Sequence, residues 1–130
     1  MPKKIFTEIS LGELLDKISI LEIKLKKIKD KSKIFHIKKE YNILLKIKKK
    51  VKVNKKVNIY YKKLKAVNNS LWNIEDKIRL HENLKKFDKK FILLARRVYF
   101  TNDKRSKIKL SINMSMNSNI IEMKSYSKYN

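Results

Sequence analysis

Cysteine is absent from this sequence of 130 residues, and glycine and proline each occur only once. Without cysteine the chain can form neither a disulfide framework nor a thiolate zinc site, and it fits a reducing compartment. A single glycine is too few for a glycine-rich phosphate-binding loop. Because so few helix breakers are present, the sequence favours long helices and an all-helical protein.

Long hydrophobic runs are also missing. No segment approaches the roughly 18 uninterrupted apolar residues of a membrane span, and the N-terminal residues lack the apolar stretch of a signal peptide. We therefore expect a cytoplasmic protein with no membrane span. The two histidines, His36 and His81, lie far apart in the sequence and have no metal-ligand spacing. We expect no metal site and no cofactor.

The formal charge is +23, yet it comes from 31 lysines and only four arginines. Lysine, isoleucine and asparagine dominate the composition, as coding by an AT-rich genome would produce. Proteins that read phosphates or bases favour arginine, so much of this charge serves solubility. Only residues 46–65 concentrate it, with ten lysines between Lys46 and Lys65 and no acid. Nucleic-acid binding through this segment is one alternative.

Apolar residues recur with helical spacing in four segments. Ser10 and Glu13 form a capping box at the start of the first helix, while Ser32 and Asp88 are placed to cap the second and fourth. Residues 51–56 alternate as a strand would but lack a partner segment, so we expect a loop. We predict one all-α domain over residues 1–130, an antiparallel four-helix bundle with a docked C-terminal arm. Its helices span about 11–29, 33–50, 55–84 and 88–115, and the arm spans 117–130.

Two stretches depart from the lysine-rich composition. Residues 70–82 and 91–105 contain the only tryptophan and all four arginines. On the third helix Glu75, Arg79 and Glu82 share one face, and Asp76 flanks it. These side chains form either a surface ion-pair ladder or a cluster that faces a ligand. Lysine would be sufficient for solubility, so the arginine at position 79 indicates a guanidinium that binds two oxygens at once.

Asn102 and Arg105 interrupt the apolar face of the fourth helix. Inward amide and guanidinium groups need partners, so the pattern predicts a buried polar network. Two interpretations remain open. The network fixes the register of similar helices, or it forms a small anion pocket. In such a pocket the cations Arg96, Arg105 and Lys17 would hold phosphate or carboxylate. Trp72 or Tyr99 would stack on a ring of the ligand.

The sequence resembles a bacterial family of domains of unknown function. The resemblance rests on Arg105 and on the segments GEL at 12–14, DK at 16–17, LW at 71–72, IED at 74–76, IR at 78–79, FI at 91–92, LAR at 94–96, VY at 98–99, ND at 102–103 and KSY at 124–126. Where similar sequences have Gly-Ser after the fourth helix, this chain has Asn117 and Ser118. The resemblance implies a small cytoplasmic protein or appended domain, in some cases associated with glycosyltransferases and surface-polysaccharide genes.

Together, composition, helix faces and resemblance select one set of candidate ligand-binding or partner-binding residues. The set comprises Lys17, Trp72, Glu75, Asp76, Arg79, Arg96, Tyr99, Asn102, Asp103, Arg105, Lys124 and Tyr126. No residue is assigned a catalytic role.

Three functions remain open. The favoured one is a non-enzymatic binding or adaptor protein, connected with carbohydrate or envelope-polysaccharide metabolism, that binds a partner protein or a small anion. The second is a basic nucleic-acid-binding protein. The third is a small helical enzyme acting on an anionic metabolite, because the charged residues around Asp16 and Lys17 are superficially similar to the first helix of chorismate mutases. A homo-oligomer is compatible with each of them.

Overall fold

The structure, a computed structural model, describes residues 3–125. It contains four helices, α1 (Leu11–Lys27), α2 (Lys31–Lys49), α3 (Lys55–Asn83) and α4 (Lys89–Ser115), and these described residues include no strand. α1 packs against each of the other three helices, and α3 and α4 form a long hairpin. The predicted all-α helical bundle is confirmed. The loop predicted at 51–56 is also present, although its last two residues belong to α3.

A polar side chain caps the start of each helix. Ser10 Oγ accepts the N–H of Glu13 at 3.1 Å, as the capping box predicts, and Asn54 and Asp88 cap α3 and α4. The prediction of Ser32 as the cap of α2 is wrong, because Asp30 takes that place. Its carboxylate accepts the N–H of Ser32 at 2.9 Å, and hydrogen bonds from the hydroxyl and N–H of Ser32 lower the pKa of Asp30. The helix therefore begins at Lys31.

Left-handed residues end the two long helices. Lys85, with φ of 55°, follows α3, and Asn117, with φ of 51°, follows α4. In both cases the next residue donates its N–H back into the last helical turn, Lys86 to the carbonyl of His81 and Ser118 to that of Asn113. Asn117 thus does what glycine does in similar sequences, because asparagine tolerates this conformation better than most residues.

α1 is the central helix of the fold. Its buried residues include Gly12, Leu15, Asp16 and Ser19 as well as Leu14, Ile18 and Leu21. The buried face is this wide because three helices pack against α1. α2 has no buried residue and covers only one side of α1. The buried core cluster combines three helices, with Leu14, Leu15 and Ile18 from α1, Val57 and Leu64 from α3, and Ile112 from α4.

The C-terminal arm is docked by polar contacts. Ser118 Oγ accepts the N–H of Leu11 at 3.1 Å, and Ser10 Oγ donates to Glu122 Oε1 at 3.1 Å. The apolar side chains of Ile121 and Met123 stay exposed. The described part of the arm, residues 117–125, therefore provides partners for groups at the N-terminus of α1 and adds no residue to the buried core. Tyr126 lies outside the described residues.

None of the helices described in residues 3–125 is both long enough and apolar enough to cross a membrane.

Gly12 marks the closest approach between α1 and α4. Its N–H donates to Asn113 Oδ1 at 2.6 Å. A Cβ at this position would lie 2.6 Å from the carbonyl oxygen of Lys109 and 2.8 Å from Asn113 Oδ1. The first of these atoms is backbone and cannot move without shifting α4, so only glycine fits.

We expect Gly12→Ala to destabilise the protein by about 2 kcal/mol, a typical cost of overpacking. In an exposed helix the same change would instead stabilise by roughly 1 kcal/mol, because alanine has the higher helix propensity. Urea unfolding followed by circular dichroism measures the difference. Asn73→Ala at an exposed position of α3 is the matched control and should be neutral or mildly stabilising. A gain in stability for Gly12→Ala would contradict the close contact.

Candidate functional site

A buried carboxylate joins three helices. Asp16 of α1 is 1% exposed, and its Oδ1 accepts hydrogen bonds from Nε of Arg105 at 3.0 Å and Nδ2 of Asn68 at 2.8 Å. Its Oδ2 accepts a further bond from Nη2 of Arg105. The same amide nitrogen of Asn68 also donates to Ser19 Oγ at 2.7 Å. α1, α3 and α4 are therefore held together by charge-assisted hydrogen bonds around one carboxylate.

The guanidinium of Arg105 is committed to this network. Nε and Nη2 bind the two carboxylate oxygens of Asp16 in the bidentate manner, and Nη1 donates to Asn102 Oδ1 at 3.5 Å. The hydrogen bonds to Asp16 raise the pKa of Arg105 above its ordinary value. The inward polar network predicted for α4 is thus present, and Asp16 is the acid that completes it.

A second cation extends the network to the C-terminal arm. Lys109 Nζ lies 2.6 Å from Glu13, 3.8 Å from Asp16 and 3.5 Å from Glu122, and its side chain is largely buried. One ammonium thus serves three carboxylates, which come from α1 and the arm. No group of His, Asp or Glu side chains within residues 3–125 has the arrangement of a metal site.

A cavity of 470 Å³ opens beside Arg105, between α1, α3 and α4. Ile20, Ile23 and Leu71 supply an apolar wall. The remaining lining is polar or aromatic and includes Asn68 of the buried network. Six of the candidate residues line this cavity, namely Trp72, Glu75, Asp76, Arg79, Asn102 and Arg105.

The charged side chains of α3 at the cavity do not neutralise one another. Glu75, Asp76 and Arg79 are exposed, and no salt bridge or side-chain hydrogen bond joins them to any other described residue. Helical spacing would allow Glu75 to pair with Arg79, yet the ion-pair ladder does not form. Their hydrogen-bonding capacity is therefore directed to the cavity and to solvent. Trp72 beside them is half-buried, so one part of its ring is held by the protein.

Two other candidate residues contact neighbours away from this cavity. Lys17 forms an ion pair with Glu13 on its own helix, at 3.7 Å. The guanidinium of Arg96 lies over the ring of Phe100, 5.7 Å from its centroid. Of the three cations considered for an anion pocket, only Arg105 lines the cavity.

The last four candidate residues are distributed more widely. Tyr99 is 43% exposed, and its ring centroid lies 4.9 Å from that of Phe100. Asp103 and Lys124 line a separate cavity of 270 Å³ between α4 and the arm. Tyr126 belongs to the part of the chain that the structure does not describe.

Sequence reasoning missed several members of the network. Asn68, Ser19 and Asn113 are buried and hydrogen-bonded, but asparagine is so common in this chain that one more does not stand out. Lys109 is hidden in the same way among 31 lysines. A usable signal exists on α1, because Lys17 is the only lysine between residues 5 and 23. In such a basic chain that scarcity marks the helix that is buried on several sides.

We expect Arg105→Ala to destabilise the protein by about 3 kcal/mol, because a buried carboxylate loses its main partner. The loss falls at the low end of the range for buried pairs, since Arg105 is partly exposed and Lys109 remains 3.8 Å from Asp16. Arg96→Ala on the same helix is the control and should cost less than about 1 kcal/mol. Chemical denaturation measures both. Equal losses would show that Asp16 does not depend on Arg105.

Neither a curated protein nor a solved structure matches this sequence. A family model does match, and it covers residues 5–129, which include all four helices. The family is described as one of unknown function, in agreement with the resemblance noted from the sequence segments. The chain belongs to the family of unknown function DUF6165.

Proposed function

We propose that this protein is a non-enzymatic helical binding module whose cavity between α1, α3 and α4 holds a carbohydrate. One observation carries the proposal. A half-buried indole and three charged side chains that have no partner within residues 3–125 line the same cavity, above a floor fixed by the Asp16 network. At 470 Å³ the cavity falls within the range of small-molecule sites, roughly 300–1,000 Å³.

The chemistry of the lining suits a polyhydroxylated ligand. A sugar hydroxyl both donates and accepts hydrogen bonds, so it can donate to the carboxylates of Glu75 and Asp76 and accept from the guanidinium of Arg79. The amide of Asn102 can do both. The apolar C–H face of a sugar ring can pack on the indole of Trp72, which offers a large, rigid surface.

The charge balance supports a neutral sugar over a small anion. Arg105 is already neutralised by Asp16, which leaves Arg79 facing two carboxylates. An added phosphate would meet a net negative lining. Binding is favoured over catalysis because the cavity offers no buried polar group in need of a partner. Among the described side chains the one such atom is Tyr61 Oη, and Tyr61 does not line the cavity.

Fluorescence of the single tryptophan provides a direct test. Titration with oligosaccharides of glucose, galactose, mannose, rhamnose and N-acetylglucosamine should give a saturable change in Trp72 emission for at least one of them. Glu75→Gln and Arg79→Gln should each weaken that binding by about tenfold or more, because each removes hydrogen bonds to a charged group. The bound sugar should be recovered unchanged.

Glu82→Gln is the matched control, since Glu82 is exposed on the same helix but does not line the cavity. It should leave the affinity unaltered. The proposal fails if no sugar in the panel gives saturation, or if Glu82→Gln weakens binding as much as Glu75→Gln does.

A basic groove favours nucleic-acid binding as a second candidate function. Lys26 and Lys27 at the end of α1 line a groove together with Lys62 and Lys65 of α3. The sequence alone pointed to residues 46–65, and the fold adds two lysines from another helix to that segment. Only one acid lines the groove, Glu22, which lies 3.4 Å from Lys65. The remaining three ammonium groups could contact a phosphate backbone.

Salt dependence tests this second function. If the groove binds phosphates, affinity for duplex DNA or single-stranded RNA should fall by orders of magnitude between about 50 and 200 mM salt. Changing Lys26, Lys27 and Lys62 to Gln should reduce the slope of log affinity against log salt by roughly 2 to 3. The same change at Lys33, Lys38 and Lys39, exposed on α2, controls for total charge. Equal effects of the two triple variants would rule out the groove.

A further inference from the structure

The end of the α3–α4 hairpin exposes apolar and basic residues together. We call residues 84–93, with the sequence LKKFDKKFIL, the hairpin tip. Within it Leu84, Phe87, Ile92 and Leu93 each leave 55–56% of their surface exposed. Large apolar side chains cluster in this way on a protein surface when something else covers them in function. No member of the buried core cluster comes from this part of the hairpin.

The hairpin tip is nevertheless held in a defined conformation. Lys85 adopts the left-handed conformation, and Lys86 donates its N–H to the carbonyl of His81 at 2.9 Å. The rings of Phe87 and Phe91 meet edge to face, with centroids 5.2 Å apart. His81 Nδ1 lies 3.0 Å from the carbonyl oxygen of Lys86. The exposed side chains thus stand on a preorganised turn, and these contacts all lie inside the hairpin.

Lysines surround the apolar residues of the hairpin tip. Its four lysines are all exposed. Lys85 and Lys86 lie between Leu84 and Phe87 in the sequence, and Lys89 and Lys90 follow Asp88. The single acid of the tip, Asp88, is occupied as the cap of α4, because its carboxylate accepts the N–H of Phe91 at 3.0 Å. The tip therefore presents exposed apolar side chains together with four exposed cations. Surface-bound membrane proteins combine the same two features, apolar insertion and attraction to anionic headgroups.

We propose that the hairpin tip docks on an anionic lipid bilayer, with Leu84 and Phe87 entering the interface and the four lysines contacting lipid phosphates. The distribution of the apolar residues favours a bilayer over a partner helix. A helix would occupy the groove that Leu80, Leu93 and Leu94 line between α3 and α4, yet Leu84, Phe87 and Ile92 lie outside this groove. A bilayer is not confined to the groove and can take up Leu84 and Phe87 at the turn itself.

A second copy of the chain is a poorer occupant of the same surface. Two hairpin tips in contact would bring the lysine clusters of both copies together, and such like-charge contacts are costly. Phosphate headgroups have the opposite charge and complement the cluster. Peripheral docking needs no membrane-spanning helix, so it agrees with the absence of such a helix from the described residues.

Vesicle flotation with the full chain tests the proposal. The protein should float with phosphatidylglycerol vesicles and stay behind with phosphatidylcholine vesicles. Phe87→Ser and the pair Lys85→Gln with Lys86→Gln should each weaken binding by roughly tenfold or more. Circular dichroism should remain helical, because these side chains are exposed. None of them lines the carbohydrate cavity, so Trp72 titrations should be unaffected.

Matched controls separate docking by the tip from unspecific attraction of a +23 chain. Phe35→Ser removes an aromatic ring that is 65% exposed on α2, and Lys38→Gln with Lys39→Gln, both exposed on α2, removes the same charge as the tip pair. Both controls should keep nearly full binding. The proposal is overturned if the two lysine pairs weaken binding equally, or if Phe87→Ser has no effect.

Discussion

The fold depends on the buried carboxylate of Asp16. Arg105 and Asn68 reach it from α4 and α3, so one charged group on the central helix determines how three helices meet. Buried ion pairs add little net stability, because desolvation offsets most of their attraction. Their effect on specificity is larger. The helices of this chain are otherwise similar in composition. A shift of α4 by one turn would leave the Asp16 carboxylate buried without the guanidinium of Arg105.

The cavity follows from the same constraint. Arg105 cannot turn away from Asp16, and Asn102 lies one turn before it on α4, so both side chains are presented to the space beneath Trp72. The central position of α1 has a second consequence. α2 packs along α1, while Leu84, Phe87 and Ile92 of the hairpin tip stay exposed among the described residues. The packing of the helices around α1 therefore gives both the preorganised floor of the cavity and the exposed hairpin tip.

Much of the fold could be predicted from the sequence because local signals decide it. Periodicity located four helices, the capping box at Ser10 located the first of them, and the interruption by Asn102 and Arg105 predicted a buried polar network. The partner of Arg105 could not be selected, because periodicity tells which face of a helix is apolar but not how neighbouring helices are rotated. Acids on the other helices and on the arm, such as Asp16, Glu75, Asp76 and Glu122, could each have met it. The cap at Asp30 was missed because Ser32, two residues later, suits the same role.

The four arginines of the chain lie in different surroundings. In this lysine-rich chain an arginine needs a reason that lysine cannot satisfy. Arg105 has one in its bidentate bond to Asp16, and Arg96 has another in the ring of Phe100 beneath it. Arg97 lines the groove beside the tip, where its long stem can cover apolar surface. Arg79 has no such reason among the described residues, since it faces the cavity without a salt bridge. Its planar guanidinium is the observation that most favours the proposed carbohydrate site, since Glu75 and Asp76 beside it offer the complementary acceptors.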